Sequence, residues 1–273
     1  MIEVLVITLS KLAYPVRLGE LSRRFGRPPS ALSDIITSVI LQTSSVADRL
    51  LRKIDTERLE PLLPSFAAAI RDAGAPIDAC WGFIDGTARE IARPTRDERL
   101  FYSGHKRMHC LKFQSIVTPD GIIAQLYGPV EGRRHDLFLV RDSDIVSTLS
   151  LPPFDDYVLY GDPGYISDSI MVAPFKGKLT PEQQEFNARM SGVRVAVEWM
   201  FGRITSLFQV LGFPPRAKLP GRCILSLCWN FFQLSHNHGQ RAISGCSASP
   251  LEPSFYFAGC SPISAPFWMD ATW

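Results

Sequence analysis

The stretch CLKFQSIVTPDGIIAQLY, residues 110–127, determines how the chain starts its sheet. Two apolar runs of β-type composition flank the segment from Thr118 to Gly121, whose Thr-Pro-Asp-Gly sequence is typical of a tight turn. This pattern predicts an antiparallel hairpin. A third run of the same kind, CWGFID at residues 80–85, comes earlier in the chain. Together the runs predict a three-stranded antiparallel start to the sheet.

Strand and helix patterns alternate in the C-terminal direction from this hairpin. The runs YVLYG (157–161) and IMVAPF (170–175) predict a fourth and a fifth strand, and the apolar spacing over residues 137–149 allows a helix before them. The TPEQ sequence that begins at Thr180 predicts a capping box that opens a long helix. Strands interleaved with helices in this way indicate an α/β (α+β) fold class. The apolar residues of the long helix recur on one face: Phe186, Met190, Val193, Val197 and Ile204.

The N-terminal third has helical periodicity. The segment 17–26 is amphipathic, residues 26–29 break it, and Ser30 is expected to cap a second helix. Two short helices across a tight break predict a helix-turn-helix-like element over residues 17–42, with a further helix over 50–70 leading to the sheet. A plain helix pair that packs on the next domain fits the pattern at least as well, because SALSDIITSVI offers few side chains that read bases.

The composition excludes several classes of protein. A chain of 273 residues with 46% hydrophobic and 21% charged residues can bury a large core, which excludes wholesale disorder. We expect no membrane span and no secretory signal, since no uncharged apolar stretch of about 18 residues occurs. The six cysteines form no CxxC pair and indicate reduced thiols. A net charge of only +2 means that any nucleic-acid partner must be argued from local patches.

Three acids stand where strands and a helix could bring them to one cation. Asp85 lies in FIDGT, Asp162 follows the fourth strand in YGDPGY, and Glu198 lies on the long helix. Carboxylates gathered at one sheet edge can hold one or two Mg²⁺ ions, as two-metal phosphoryl chemistry requires. Simpler explanations stay open, because Asp-Gly and Asp-Pro are common turn dipeptides and Glu198 can pair with Arg194 one turn earlier.

Other polar residues near these acids are candidates for auxiliary roles. Asp136 in GRRHD is a competing acid, for which helix capping is the simpler explanation. Arg23 and Arg24 are candidate DNA contacts in the helix-turn-helix-like element. Basic, imidazole and aromatic side chains form a second group that could contact phosphates and flanking bases near the acids, or else a solvated rim of the sheet: Tyr102, His105, Lys106, Arg107, His109, Arg133, Arg134 and His135.

The cysteines and histidines after residue 220 do not support a zinc site. Cys223, Cys228, His236 and His238 match no zinc-finger spacing, and they lie in an apolar segment where cysteine is commonly a core residue. The five histidines also lack a Ser or Cys partner motif. A nucleophilic triad is therefore not indicated.

Several long sequence blocks occur in a characteristic order between residues 82 and 202. They are FIDGT, YSGHKRMHCLKFQSIVTPDG, GPVEGRRHD, YGDPGY and FNARMSGVRVAVEWMFGRI. This region resembles the DDE-type nuclease domain of PIF/Harbinger transposases and their domesticated relatives. The segment PVRLGELSRRFGRPPSALSDI also resembles the helix-turn-helix that precedes the nuclease in that family. After about Lys218 the family's closing segment is not recognisable, which indicates a truncated, frame-altered or decayed end.

This resemblance implies a domain organisation. It implies a helical N-terminal region over residues 1–75 and a nuclease domain over 80–212. The nuclease would have an RNase H-like mixed sheet, in which three antiparallel strands are followed by parallel ones. Residues 213–273 hold prolines and aromatics without a period and are expected to form a degraded or irregular tail.

The resemblance also implies a function. Asp85, Asp162 and Glu198 match the three catalytic acids of the family, which would bind Mg²⁺ or Mn²⁺ and hydrolyse phosphodiester bonds of DNA in the nucleus. A separate Myb-like DNA-binding protein and further copies of the chain are implied as additional partners. A catalytically inactive transposon relic or DNA-associated protein is the alternative. A two-metal phosphatase of small substrates is a third hypothesis, but it gives no reason for a helix-turn-helix.

Overall fold

The computed structural model describes residues 2–165 and 167–212 of the chain. The expected irregular tail over residues 213–273 lies outside these residues, as do the cysteines and histidines after residue 220. None of the described helices is both long enough and apolar enough to span a bilayer.

A mixed sheet forms the centre of the described chain. Strand β3 lies between β4 and β1 and pairs antiparallel with both, while β5 pairs parallel with β1 and β6 parallel with β5. This order of antiparallel strands followed by parallel ones confirms the expected RNase H-like arrangement and the α/β class. The strand bounds are β1 (Cys80–Glu90), β2 (Tyr102–Ser103), β3 (Met108–Val117), β4 (Ile123–Glu131), β5 (Val158–Tyr160) and β6 (Met171–Val172).

The hairpin predicted at Thr118 to Gly121 joins β3 and β4. The Thr118 backbone N–H donates to the Ile122 carbonyl oxygen at 2.9 Å, and the Gly121 N–H donates back to the Thr118 carbonyl oxygen at 2.9 Å. Gly121 has a φ of 78°, a left-handed conformation that favours glycine. Turn chemistry therefore fixes the register of this strand pair, as the sequence predicted.

Helices occupy the segments between and around the strands. The bounds are α1 (Ile2–Ala13), α2 (Leu18–Phe25), α3 (Pro29–Leu51), α4 (Thr56–Leu59), α5 (Leu63–Asp72), α6 (Glu98–Phe101), α7 (Asp136–Asp142), α8 (Ile145–Leu149) and α9 (Pro181–Leu207). The segment 137–149, which allowed one helix, forms two, because Asp144 between them has a φ of 56° and interrupts the helical hydrogen bonds.

The capping box predicted at Thr180 opens α9. The Gln183 N–H donates to Thr180 Oγ1 at 3.3 Å, and the Thr180 N–H donates to Gln183 Oε1 at 3.1 Å. These two bonds satisfy backbone donors that the first turn of a helix leaves without partners. The start of the longest helix could therefore be predicted from four residues.

Two hydrophobic clusters cover the two faces of the sheet. Phe83 of β1 belongs to the cluster that contains Met190 and Val193 of α9 together with the N-terminal helices. Ile84, which points to the opposite face, belongs to the cluster that contains Val140 of α7 and the buried ring of Trp81. Because strand side chains alternate, Asp85 shares the α9 face and Gly86 shares the α7 face.

The N-terminal helices agree with the predicted break but differ in one detail. The predicted cap at Ser30 is wrong, since α3 begins at Pro29 with Pro28 in the extended N-cap position. Proline suits the first helical position because its fixed φ is already helical and its missing N–H is not needed there. The face of α3 that carries Leu32, Ile36 and Ile40 is buried, and the opposite face is exposed. The helix-turn-helix assignment stays a prediction.

Candidate functional site

Asp85 and Asp162 lie near the point where the parallel pairing of β1 with β5 ends. The parallel pairing of β1 with β5 places Phe83 opposite Tyr160, and each aspartate follows two residues later in its own strand direction. Corresponding positions on neighbouring strands are about 4.8 Å apart. Both carboxylates are half-buried. The structure therefore brings together two of the three acids that were singled out in the sequence.

The turn explanation holds for only one of these two residues. Asp85 lies inside β1 opposite Ser115 of β3, and the strand continues to Glu90, so Asp85 is not a turn residue. Asp162 does form a turn, since its Oδ1 atom accepts a hydrogen bond of 2.7 Å from the Gly164 N–H. That hydrogen bond restricts the orientation of the Asp162 carboxylate.

Asp136, the first residue of α7, lies close to Gly86 and to Asp162. A Cβ atom built on Gly86 would lie 3.6 Å from Asp136 Oδ1, and one built on Gly164 would lie 3.5 Å from Asp136 Oδ2 and 2.9 Å from Asp162 Oδ1. The two glycines thus leave room for the carboxylates to approach. Asp136 is not the helix cap that its sequence position suggested, because His135 occupies the N-cap of α7.

Asp136 is neutralised by a lysine that the sequence analysis did not single out. Lys112 Nζ lies 3.1 Å from Asp136 Oδ1, and the lysine side chain is only 17% exposed. Its signal in the sequence is a single cation inside the apolar run CLKFQSIV. Asp136 therefore belongs to an ion pair at the edge of this group of carboxylates.

Tyr165 is a second residue that the sequence analysis missed. Its side chain is 2% exposed, and its hydroxyl has no hydrogen-bond partner among the described residues. Burial and then the negative charges of Asp136, Asp85 and Asp162 hold the pKa of Tyr165 well above its usual value. The hydroxyl is therefore close enough to all three carboxylates for their charges to affect its pKa. The signal in the sequence is the tyrosine that ends YGDPGY.

Helix α9 passes close to this group of residues. The positive charge of Arg194 acts on both Tyr160 and Tyr165, lowering their pKa values against the larger effect of burial. Glu198 lies one turn beyond Arg194 on the same helix, and residues four apart share a helix face. The side chain of Glu198 lies outside the described residues.

The basic residues near the β2–β3 turn do not lie beside the acids. Lys106, Arg107 and His105 are exposed in the turn before Met108, and β3 then runs seven residues to Ser115, the register partner of Asp85. That length of strand spans roughly 20 Å or more. Blocks that adjoin in sequence are separated here because the antiparallel strands extend well beyond the acids. Contact of these residues with phosphates stays a prediction. Such phosphates would lie several base pairs away from the acids along a bound duplex.

Three of the remaining candidates, His109, Arg134 and Tyr102, contact other residues of the protein. His109 Nε2 lies 3.1 Å from Glu98 Oε1, and a hydrogen bond from Arg93 and the contact with His109 lower the pKa of Glu98. Arg134 contacts Glu131 and stacks over the ring of Phe138 at 4.3 Å from its centroid. Tyr102 packs edge-on against His109, whereas Arg133 and His135 are exposed at the end of β4.

The donor set around Asp85 and Asp162 fits a hard divalent cation. Such cations prefer carboxylate oxygens, and two neighbouring carboxylates can bind one ion. Among the residues whose side chains are described, no three His, Cys, Asp or Glu side chains are grouped closely enough to hold a metal ion. Glu198 lies on α9 but its side chain is outside the described residues, so its place in the site stays a prediction.

A model of the family described as DDE superfamily endonuclease matches residues 84–231, just over half of the chain. The chain belongs to this family. The match begins one residue before Asp85 and includes Asp136, Asp162 and Glu198. All the acids considered above therefore lie within the endonuclease region.

The chain is also similar to a curated protein that is described as a probable transposase. The chain is 27% identical over 136 residues to the probable transposase for insertion sequence element IS702 of Microchaete diplosiphon. The match covers 47% of this chain and 47% of that protein. The chain thus spans about half the length of the curated relative that it matches.

Proposed function

We propose that this DDE endonuclease family member cuts phosphodiester bonds of DNA in a reaction that depends on Mg²⁺ or Mn²⁺, as a transposase of the PIF/Harbinger type does. The observation that carries the proposal is that Asp85 and Asp162 each follow the paired residues Phe83 and Tyr160 of the parallel strands β1 and β5 by two positions. We propose these two carboxylates as metal ligands, and Glu198 as the third acid of the triad. The nuclear location belongs to the same proposal.

Asp85, Asp162 and Lys112 would have different roles in such a metal site. When bound, a divalent cation lowers the pKa of an attacking water and stabilises charge on the leaving oxygen. Asp85 and Asp162 would hold the cation at the sheet, where the hydrogen bond from the Gly164 N–H fixes one oxygen of Asp162. Lys112 pairs with Asp136, which reduces the repulsion between this carboxylate and its acidic neighbours.

The first test is nicking of supercoiled plasmid by the purified full chain. We expect nicking with Mg²⁺ or Mn²⁺, none with EDTA, and loss of nicking in Asp85→Ala. Asp155→Ala is the matched control, because it removes one carboxylate from an exposed position away from the sheet centre. Equal nicking by wild type and Asp85→Ala would contradict the proposed chemistry. A wild-type chain that binds DNA without nicking it would favour the inactive, DNA-associated alternative.

We propose that DNA is held in part by the exposed arginines of α2. Arg23 and Arg24 lie in the last turn of that helix and are exposed, whereas Arg27 is engaged with Glu3 at 2.9 Å. Each lost phosphate contact reduces the slope of log affinity against log salt concentration by about 0.9. The double variant of Arg23 and Arg24 to Ala should therefore bind DNA more weakly and with a slope shallower by about 1 to 2.

The control for this measurement removes two cations from another exposed surface. Lys53 and Arg58, just after α3 and in α4, are exposed, and their double alanine variant should leave the salt slope unchanged. Fluorescence anisotropy with a labelled duplex over a salt series gives both slopes. An unchanged slope in the Arg23 and Arg24 variant would assign the phosphate contacts to other residues.

A further inference from the structure

The hydroxyl of Tyr165 is buried close to the carboxylates of Asp85, Asp136 and Asp162, which together are called the acidic centre. Among the described residues this hydroxyl has no hydrogen-bond acceptor. The Tyr165 side chain is 2% exposed. A Cβ atom built on Gly86 would lie 3.5 Å from this hydroxyl and 3.6 Å from Asp136 Oδ1. The hydroxyl and the carboxylate therefore border the same small space in front of Gly86, the residue next to Asp85.

A buried donor without a partner is costly unless something else supplies the acceptor. Leaving such a group unsatisfied costs about 1–3 kcal/mol, and most buried side-chain polar atoms in proteins do have a partner. The surroundings here are polar, since Asp136 and its partner Lys112 lie on one side and Asp162 lies beyond Gly164. An oxygen that enters this space would meet a donor from Tyr165 and acceptors from the aspartates.

We propose that Tyr165 is a positioning residue for the divalent cation, and that its hydroxyl donates to a water molecule that the cation held by Asp85 and Asp162 brings with it. This inference rests on the proposed cation site. Lys112 supports the arrangement by fixing Asp136 as the acceptor on the far side of the space. Groups that hold the ligands and waters around a metal typically affect its affinity by about 10- to 100-fold.

A purely structural role for the hydroxyl makes the opposite prediction. If Tyr165 served only to stabilise the fold through an internal hydrogen bond, its removal would lower the melting temperature and leave metal affinity unchanged. If the hydroxyl lacks an acceptor until the cation arrives, Tyr165→Phe should keep or raise the melting temperature of the metal-free chain. The same variant should weaken the binding of the cation.

Tyr160 provides a matched control for the same chemical change. Its side chain is 1% exposed, and its hydroxyl likewise has no hydrogen-bond partner among the described residues. Burial raises the pKa of Tyr160 to about 12, and the charges that act on it come from Arg194 and Cys80 rather than from the aspartates. Tyr160→Phe therefore removes an equally buried hydroxyl on whose pKa burial, Arg194 and Cys80 act, and not the aspartates.

The experiment is a titration of the metal-free full chain with Mn²⁺ alone, followed by electron paramagnetic resonance, beside thermal melts without metal. We expect Tyr165→Phe to weaken Mn²⁺ binding about tenfold without a lower melting temperature, and Tyr160→Phe to bind within about twofold of wild type. An affinity of Tyr165→Phe within twofold of wild type, or an equal loss in both variants, overturns the inference. Asp85→Asn separates the two proposals, since it should lose Mn²⁺ binding if the cation site is real. Absence of Mn²⁺ binding by the wild-type chain overturns the cation site itself and this inference with it.

Discussion

Replacing Asp162 with Asn is expected to reduce metal-dependent nicking of DNA by about a thousandfold, while the fold is retained. A bound cation supplies several kcal/mol of charge stabilisation in the transition state, and each 1.4 kcal/mol is about tenfold in rate. The amide oxygen of Asn can still accept the hydrogen bond that Asp162 Oδ1 receives from the Gly164 N–H. The substitution therefore removes the negative charge and leaves the turn in place.

The control for this variant lies in the same loop. Asp168 Oδ1 accepts hydrogen bonds of 3.0 Å from the backbone N–H groups of Ile170 and Met171, and the residue is exposed. Asp168→Asn is the same chemical change at a carboxylate that also holds a turn. Nicking rates of both variants, measured beside their thermal melts, check the prediction. Wild-type activity of Asp162→Asn, or an equal loss in Asp168→Asn, would show that the charge of Asp162 is not what the reaction requires.

The elements that the sequence predicted best are those fixed by neighbouring residues. The hairpin after β3 depends on the Thr118 to Gly121 turn, and the start of α9 depends on the bonds between Thr180 and Gln183. Both signals involve residues within four positions of one another, so a single sequence carries them in full. The antiparallel start of the sheet was predicted from the strand runs and this turn, whereas the parallel strands that follow were implied by the resemblance to the nuclease family.

The meeting of Asp85 with Asp162 depends on a contact that is distant in sequence. The register of β1 with β5 places Phe83 opposite Tyr160, and no short sequence pattern near either aspartate encodes this pairing. The sequence predicted that these acids would lie at sheet edges or turns, and Asp85 in fact lies inside a strand. Pairing between distant strands is set by the whole core, which is why the residue pattern alone left the turn explanation open.

The supporting residues of the site were missed for a similar reason. Lys112 and Asp136 are 24 positions apart, and only the return of α7 over the sheet brings them to 3.1 Å. Tyr165 was not singled out, although its ring is buried in the cluster that contains Ile84. Conversely, Lys106 and Arg107 were expected beside the acids, because distance in sequence does not show that a strand pair extends away from a site.

The hydrophobic cluster on the α7 face of the sheet, which contains Trp81 and Phe154, helps to hold β1 in position and therefore affects where Asp85 lies. Trp81 is fully buried four residues before Asp85 on the same strand, and its ring meets the ring of Phe154 edge-on at 5.6 Å between centroids. Edge-to-face aromatic pairs stabilise a core by about 0.5–1.5 kcal/mol beyond the area that they bury. The position of Asp85 relative to β5 therefore depends on packing that the acids themselves do not provide.

Replacing Trp81 with Ala is accordingly expected to lower the free energy of unfolding by about 3–5 kcal/mol. For a chain of this size the melting temperature should fall by roughly 10 °C. Leu151→Ala is the control, because Leu151 is 62% exposed and its truncation should change stability by less than about 0.5 kcal/mol. Urea denaturation followed by circular dichroism measures both variants. A Trp81→Ala chain within about 1 kcal/mol of wild type would mean that this face is not packed as described, and that the register placing Asp85 beside Asp162 must be held by the α9 face instead.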